Sequence, residues 1–332
     1  MATEKEQEQE QEEITKTKSK TKTKVTFEEN LAKIRDTSQP VSISALYALS
    51  AMTPERQAQF EEVWRGFDNP RRLKVAAALT DLSEEVVELD FSSVYSFLLH
   101  DQEAEVRGRA IEGLWEDEGR PVLAELLKML ESDPSPQVRE KAAIGAGRFA
   151  YLAELGRLTP RWIDKLRETL LFQATQVKNP VEVERRVIEG LGYFHNNEQV
   201  VKLIEKTYQS DNELLKAGAV RAMGRNVNTR WLPEIGKEMS SPNPLLRFEA
   251  ATACGEMSSA ELLPALVKLT QDKDLEVRQA AIWAFGQIGG SAATRILKDL
   301  LTDENNLVRE AAQEALKELA FIQKPLNPLG EL

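Results

Sequence analysis

Four times along this chain the motif Asp-x-x-x-x-Val-Arg-x-x-Ala recurs at nearly fixed spacing, around Arg107 (Asp101, Val106, Ala110), Arg139 (Asp133, Val138, Ala142), Arg278 (Asp272, Val277, Ala281) and Arg309 (Asp303, Val308, Ala312). A fixed period of this kind marks a solenoid, a stack of supersecondary units none of which can bury its apolar face alone. With the register set on the arginine, weaker copies fall at Lys74, Glu184, Lys216 and Arg247. That makes eight units, separated by 33, 32, 45, 32, 31, 31 and 31 residues.

The residue before each register position is branched aliphatic: Leu73, Val106, Val138, Val183, Leu215, Leu246, Val277 and Val308. Three residues after it stand Ala77, Ala110, Ala142, Val187, Ala219, Ala250, Ala281 and Ala312. On a helix the two columns lie about 40° apart, so both belong to one buried stripe. A second small column follows six residues after the register, at Gly113, Gly145, Gly190, Ala222, Ala253, Ala284 and Ala315. A third, eight residues after, holds Gly147, Gly192, Gly224, Gly255 and Gly286. Glycine inside a helix costs about 1 kcal/mol against alanine, so its recurrence implies tight packing or a cap.

Each unit therefore reads as a helical hairpin. Its first helix is amphipathic, as in the segments Glu261 to Leu269 and Ala293 to Leu301, and a polar turn opens the second. Asp133-Pro134, Asn179-Pro180 and Ser241-Pro242 are expected to cap that second helix and start its first turn. The predicted fold is all-α, a right-handed α-solenoid of about eight hairpins over 41–322. A charged, disordered tail is expected over 1–40 and an extended tail over 323–332. The tail assignment rests on a polar block with nothing to bury: Glu4 to Glu13 holds six Glu and one Lys, and Lys16 to Lys24 holds five Lys alternating with Thr and Ser.

The repeated Asp and Arg are expected to tie a turn to its helix or to the next unit rather than to do chemistry. In the fourth unit the acid becomes Lys178 and the base Glu184, which keeps an ion pair; Ser210 and Ser241 replace the acid in the fifth and sixth.

This pattern resembles the HEAT repeat superfamily, in particular its short E-Z (PBS lyase HEAT-like) type found in bilin lyases and deoxyhypusine hydroxylase. The resemblance covers residues from about 60 to about 320, and a solenoid hosts many functions. It implies either a protein-binding scaffold or a lyase or chaperone for a tetrapyrrole-like cofactor. Deoxyhypusine hydroxylase-like proteins place His-Glu pairs on helices to hold two irons; here His100 and His195 are the two histidines, and neither is followed by Glu.

No phosphate loop, Gly-x-Ser-x-Gly, CxxC or His-Glu-x-x-His motif is present. The expectation is a non-catalytic chain without cofactor or metal. A net charge of −11 disfavours broad nucleic-acid binding. Cys254, the single cysteine, falls in an apolar column and reads as a buried thiol, fitting a reducing, cytoplasmic compartment. No stretch is long and apolar enough for a membrane span, and no targeting signal is visible.

Candidate binding residues come from helical geometry. Positions two, five and nine after each register residue share an arc of the second helix. Through units two to five that arc carries Arg109, Lys141, Arg148, Arg186, Tyr193, Arg221 and Arg225, with Ile144 among them and Glu112, Glu116 and Glu189 interrupting. Through units six to eight it carries Glu249, Glu256, Trp283, Glu314 and Glu318. A bipolar groove is expected, its basic half receiving an acidic segment of a protein partner. Trp115, Trp162 and Trp231 are further aromatic candidates. About 13 extra residues near Phe149 to Trp162 account for the long spacing of 45 and are expected either as a loop on the binding face or as a lengthened helix pair.

Overall fold

A computed structural model describes residues 25–176 and 179–322. Eighteen α-helices and no strand occur among them. They form two compact units, divided between Leu114 and Trp115.

In the first unit, α1 (Phe27–Arg35) and the short α2 (Ile43–Leu46) lead into two hairpins, α3 (Pro54–Arg65) with α4 (Asn69–Glu85) and α5 (Ser92–Leu98) with α6 (Ala104–Gly113). Helix α1 falls inside the stretch assigned to a tail, so order begins earlier than residue 41. Its sequence shows why. Thr26 and Glu29 form a capping box, and Phe27, Leu31 and Ile34 are buried. Arg71 of α4 donates to the carbonyls of Ile34 (2.7 Å), Gln39 (3.0 Å) and Lys33 (3.3 Å), so a buried cation meets the carbonyl end of α1. The charged blocks before residue 25 and the tail after residue 322 lie outside the described residues.

Six hairpins make the second unit. Their first helices are α7 (Arg120–Ser132), α9 (Pro160–Gln173), α11 (Glu198–Tyr208), α13 (Leu232–Glu238), α15 (Leu263–Leu269) and α17 (Gly290–Leu300). Their second helices are α8 (Pro136–Glu154), α10 (Val181–Leu191), α12 (Glu213–Asn226), α14 (Pro244–Glu256), α16 (Leu275–Ile288) and α18 (Asn306–Ile322). Counting both units, eight hairpins result, and every register residue lies on a second helix.

Successive second helices of this unit pack side by side, and the two small columns are what let them. The glycine eight positions past the register in one unit meets the small residue six positions past it in the next. A Cβ on Gly190 would lie 3.1 Å from Gly147 Cα, one on Gly224 2.5 Å from Ala253 Cα, one on Gly255 2.9 Å from Ala284 Cα, and one on Gly286 3.2 Å from Ala315 Cβ. Gly192 faces Ala222 in the same way. None of these five glycines has a positive φ. Of the two expected roles, tight packing is common to all five, and Gly192 also stands at the C-cap of α10.

The turns also resolve. Asp101, Asp133, Asp272 and Asp303 each accept the backbone N–H two residues ahead through Oδ1, at 2.8–2.9 Å. Ser210 and Ser241 do the same with Oγ. The helix caps at Ser135 and Asn243 follow two residues later than expected, because Asp133 and Ser241 first close the turn; Asn212 and Asp274 cap their helices from the same place. Asn179 caps nothing; its side chain donates to the Gln173 carbonyl.

The motif arginine reaches back to the carbonyl of its own unit's Asp or Ser position: Arg107 to Asp101 (2.9 Å), Arg139 to Asp133 (2.8 Å), Arg247 to Ser241 (2.8 Å) and Arg309 to Asp303 (2.7 Å). Arg247 also holds Asp272 of the following unit through Nε and Nη2, at 2.6 and 2.8 Å. Both expected roles, turn to helix and unit to unit, are thus present in one side chain. In the first hairpin the residue doing this is Arg72, which bonds Asp101 (3.2 Å) and the Phe67 carbonyl, while the expected Lys74 is exposed. Lys178 lies outside the described residues. Burial pushes its expected partner Glu184 above the ordinary carboxylate range, and Lys206 opposes the shift.

The long spacing is taken up as helix. Helix α8 runs 19 residues and buries Phe149, Ala150 and Leu152 in its extension, and Gly156 (φ 73°) turns the chain into α9. The loop expectation is replaced by the lengthened helix pair.

Candidate functional site

The second unit carries one row of side chains that the core does not use. On its second helices, two, five and nine residues past the register, the side chains leave the buried stripe and converge on a cleft of about 350 Å³. Ala143, Ile144, Gly147, Arg148 and Tyr151 of α8 form one wall. Arg186, Glu189 and Tyr193 from α10 and its end form the floor, and Arg221 and Arg225 of α12 close the far side. Trp115, which opens this unit, covers the near end.

Five of the eight expected binding residues therefore meet in one place: Arg148, Arg186, Tyr193, Arg221 and Arg225. Trp283 lines a second depression of about 350 Å³ with Phe248, Thr252, Ala280 and Arg221. Lys141 does not line the cleft. Arg109 belongs to the first unit, where it pairs with Glu105 at 3.3 Å. Trp231 is buried, its Nε1 donating to Asn226, and serves the core.

Two aromatic lining residues lie off the arc of positions two, five and nine. Tyr151 is twelve positions past Arg139, three beyond Arg148 and so on the same face; following the arc into the lengthened helix reaches it. Trp115 occupies the position that is glycine in five other units, where a side chain of its size cannot enter a helix seam. It is left 46% exposed, and Tyr151 (45%), Trp283 (37%) and Ile144 (36%) are exposed beside the cleft or in the second depression. Large apolar groups so exposed on one face are a signature of binding.

The charges form an alternating chain across four second helices. Glu140 accepts from Arg186 (3.2 Å), Arg186 also donates to Glu189 (3.1 Å), and Arg185 donates to Glu189 (2.7 Å) and to Glu249 (2.8 Å). Arg221 donates to the other Glu249 oxygen (2.7 Å) and to Glu256 (3.4 Å), with Arg225 at 3.7 Å from the same Glu256 oxygen. Arg185 spans to Glu249 past α12 where Gly218 leaves room, a Cβ there falling 2.9 Å from Arg185 Cγ. Burial pushes the Glu249 and Glu256 carboxyls up, and Arg221 pulls both back. Burial likewise opposes charge on Arg221, but Glu249 and Glu256 hold its pKa above the ordinary value.

The expected bipolar groove is corrected by this chain. Three of its arginines, Arg186, Arg221 and Arg225, are engaged by carboxylates, two of which come from the supposed acidic half. Arg148 differs from them. Its Nη2 donates to the Asp117 carbonyl at 2.6 Å, and its guanidinium lies 5.5 Å from the Trp115 ring centroid and 5.1 Å from that of Phe149. Burial lowers its pKa, while Glu116, Glu118 and Asp117 raise it from longer range. Beside it Tyr151 and Tyr193 meet with ring centroids 5.5 Å apart, and Arg225 covers the Tyr193 ring at 5.0 Å.

A family model of HEAT repeats matches residues 92–176 and 232–317, a little over half of the chain. The chain belongs to the HEAT-repeat family. No curated protein matches it. Solved structures similar to this HEAT-repeat chain include YibA of E. coli, at 17% identity over 74% of this chain and 96% of that one with a TM-score of 0.42. Kap95p with RanGDP is 16% identical over 87% of this chain and 44% of that one, TM-score 0.48. Human deoxyhypusine hydroxylase with glycerol is 20% identical over 89% and 96%, TM-score 0.30.

Within the HEAT repeats His195 has a structural place. Its Nδ1 is 2.9 Å from the Asn226 carbonyl and its Nε2 3.1 Å from Glu154, joining the ends of three second helices. Cys254 is fully buried and its thiol is pushed up to about 12 by burial, the opposite of an activated nucleophile. No helix among the described residues is long and apolar enough to cross a membrane.

Proposed function

We propose that this HEAT-repeat protein is a non-catalytic scaffold that holds a carboxylate-bearing segment of a partner protein in the cleft between Trp115 and Arg225. The observation that carries this is the lining itself: exposed Trp, Tyr and Ile walls around Arg148, the one cleft arginine whose side chain donates to a backbone carbonyl instead of belonging to the ion-pair chain. Trp, Tyr and Arg dominate binding energy at protein interfaces because they combine a large contact area with directional polar groups. Arginine also pairs carboxylates in two parallel bonds. A buried single cysteine fits the reducing, cytoplasmic setting this reading assumes.

The ion-pair chain decides how to test it. Exchanging Arg186, Arg221 and Arg225 for Glu would leave Glu140, Glu189, Glu249 and Glu256 without their cations and unsettle the stack itself. Arg148→Gln and Tyr151→Ala change the cleft and leave the ion-pair chain from Glu140 to Glu256 in place. Affinity capture from the native host, with the protein and this double variant side by side, should lose a defined set of partners in the variant. An identical partner set for both would sink the proposal.

A further inference from the structure

The cleft does not stand alone. Arg221 lines both it and the Phe248–Trp283 depression, so the two share a wall on the same face of the stacked second helices. The first centres on α10, the second lies between α14 and α16. Neighbouring packed helices sit about 8–10 Å apart, so the centres are about 20–25 Å from each other. An extended chain covers about 3.3 Å per residue and spans that gap in about seven residues.

Their chemistry differs. Beside Trp115 and Tyr151 the lining holds four arginines and Glu189; Arg186, Arg221 and Arg225 belong to the ion-pair chain, and Arg148 donates to the Asp117 carbonyl. Around Trp283 it is Arg221 against Glu256 and Glu276. Trp283 is exposed although its neighbours Ile282, Ala284 and Phe285 are fully buried, so its indole faces outward by placement on the arc. The Cζ3 atom of that indole would nevertheless lie 2.6 Å from a Cβ on Gly255, so the ring rests against the seam between α14 and α16 and is held in position.

Resting on the scaffold reading, we infer that the partner segment is bidentate: an extended peptide with two large apolar side chains about seven residues apart, acidic around the first and without acid around the second. The first side chain enters between Trp115 and Tyr151, where the carboxylates beside it meet Arg148. The second packs on Trp283 and Phe248. The stretch between them crosses the Arg221–Glu256 wall, where Arg221 donates to Glu256 Oε1 at 3.4 Å.

The test uses the full chain and fluorescein-labelled twelve-residue peptides, read by anisotropy. One carries glutamates beside a phenylalanine and a second phenylalanine seven residues on; one has the two phenylalanines two residues apart; one has the first phenylalanine only. The widely spaced peptide should bind at least about tenfold tighter than the other two, because the second contact becomes intramolecular. Trp283→Ala should remove that gain and leave the single-anchor peptide unchanged. Equal affinity for all three, or a gain that survives Trp283→Ala, overturns the two-anchor inference and leaves the acidic-segment reading standing. Binding of none of them overturns both. The peptide series on the unaltered protein decides the matter even where the Trp283 variant folds poorly.

Discussion

The seams between second helices can be probed by adding a single methyl group at two equivalent glycines. At Gly147 a Cβ would lie 3.4 Å from Gly190 Cα and 4.0 Å from its nitrogen, an ordinary contact. At Gly224 it would lie 2.5 Å from Ala253 Cα, 2.7 Å from Ala253 Cβ and 2.8 Å from Glu256 Oε2. Carbon atoms settle at about 3.5–4.0 Å, so Gly224→Ala must drive α12 and α14 apart by about 1 Å along backbone that cannot yield as a side chain does. Both substitutions gain about 1 kcal/mol of helix propensity. Only the second incurs overpacking, about 1–3 kcal/mol, toward the upper end because the opposing atom is backbone. Gly147→Ala is therefore expected to be more stable than the parent by up to about 1 kcal/mol, and Gly224→Ala less stable by about 2 kcal/mol. Urea unfolding followed by far-ultraviolet circular dichroism reads the difference as two midpoints on opposite sides of the parent. Finding Gly224→Ala as stable as Gly147→Ala would refute the view that glycine is retained there for interhelical closeness.

Three further outcomes follow from the same packing. Arg247 holds the Asp272 carboxyl below the usual carboxylate range, so the pair's contribution is fully present above the unfolded pKa of about 4 and lost as pH falls through the lower folded value. Asp272→Asn should cost about 3 kcal/mol near neutral pH, and its deficit against the parent should shrink in unfolding curves taken below about pH 4; a deficit independent of pH would remove the pair from the ledger of stability. Ala281 is fully buried, and Ala281→Leu should lower stability by about 1–3 kcal/mol in the same urea assay, with little effect meaning a looser stack than described. Deleting 273–303 removes α16 and α17 and would bring Gly255 opposite Ala315 instead of Ala284, a like-for-like contact. The shorter chain should keep its helical signal per residue, and loss of that signal would show that the units do not stack independently.

The columns of small and branched residues were enough to place a helix, its buried stripe and its period, because those depend on spacing along one chain segment. Eight hairpins with their register on the second helix could be read from Val106, Ala110 and their equivalents alone. Position on the helix also sufficed to select Arg148, Arg186, Tyr193, Arg221 and Arg225, since residues at a common angle in stacked repeats must share a face. What no one-dimensional pattern could decide was what these side chains do to one another. Along the sequence Arg185 and Arg221 are far from Glu249, and Arg221 belongs to a basic stretch opposed to an acidic one. In the fold the arginine side chain is long enough to cross the gap between packed helices, and Gly218 clears the path, so the two stretches interlock through ion pairs. The same holds at the first hairpin, where spacing favoured Lys74 and reach favoured Arg72, and at α1, whose polar sequence reads as a tail until Arg71, distant in the chain, closes its carbonyl end. Burial and hydrogen-bond reach are properties of distances between helices, and those distances exist only once the helices have packed.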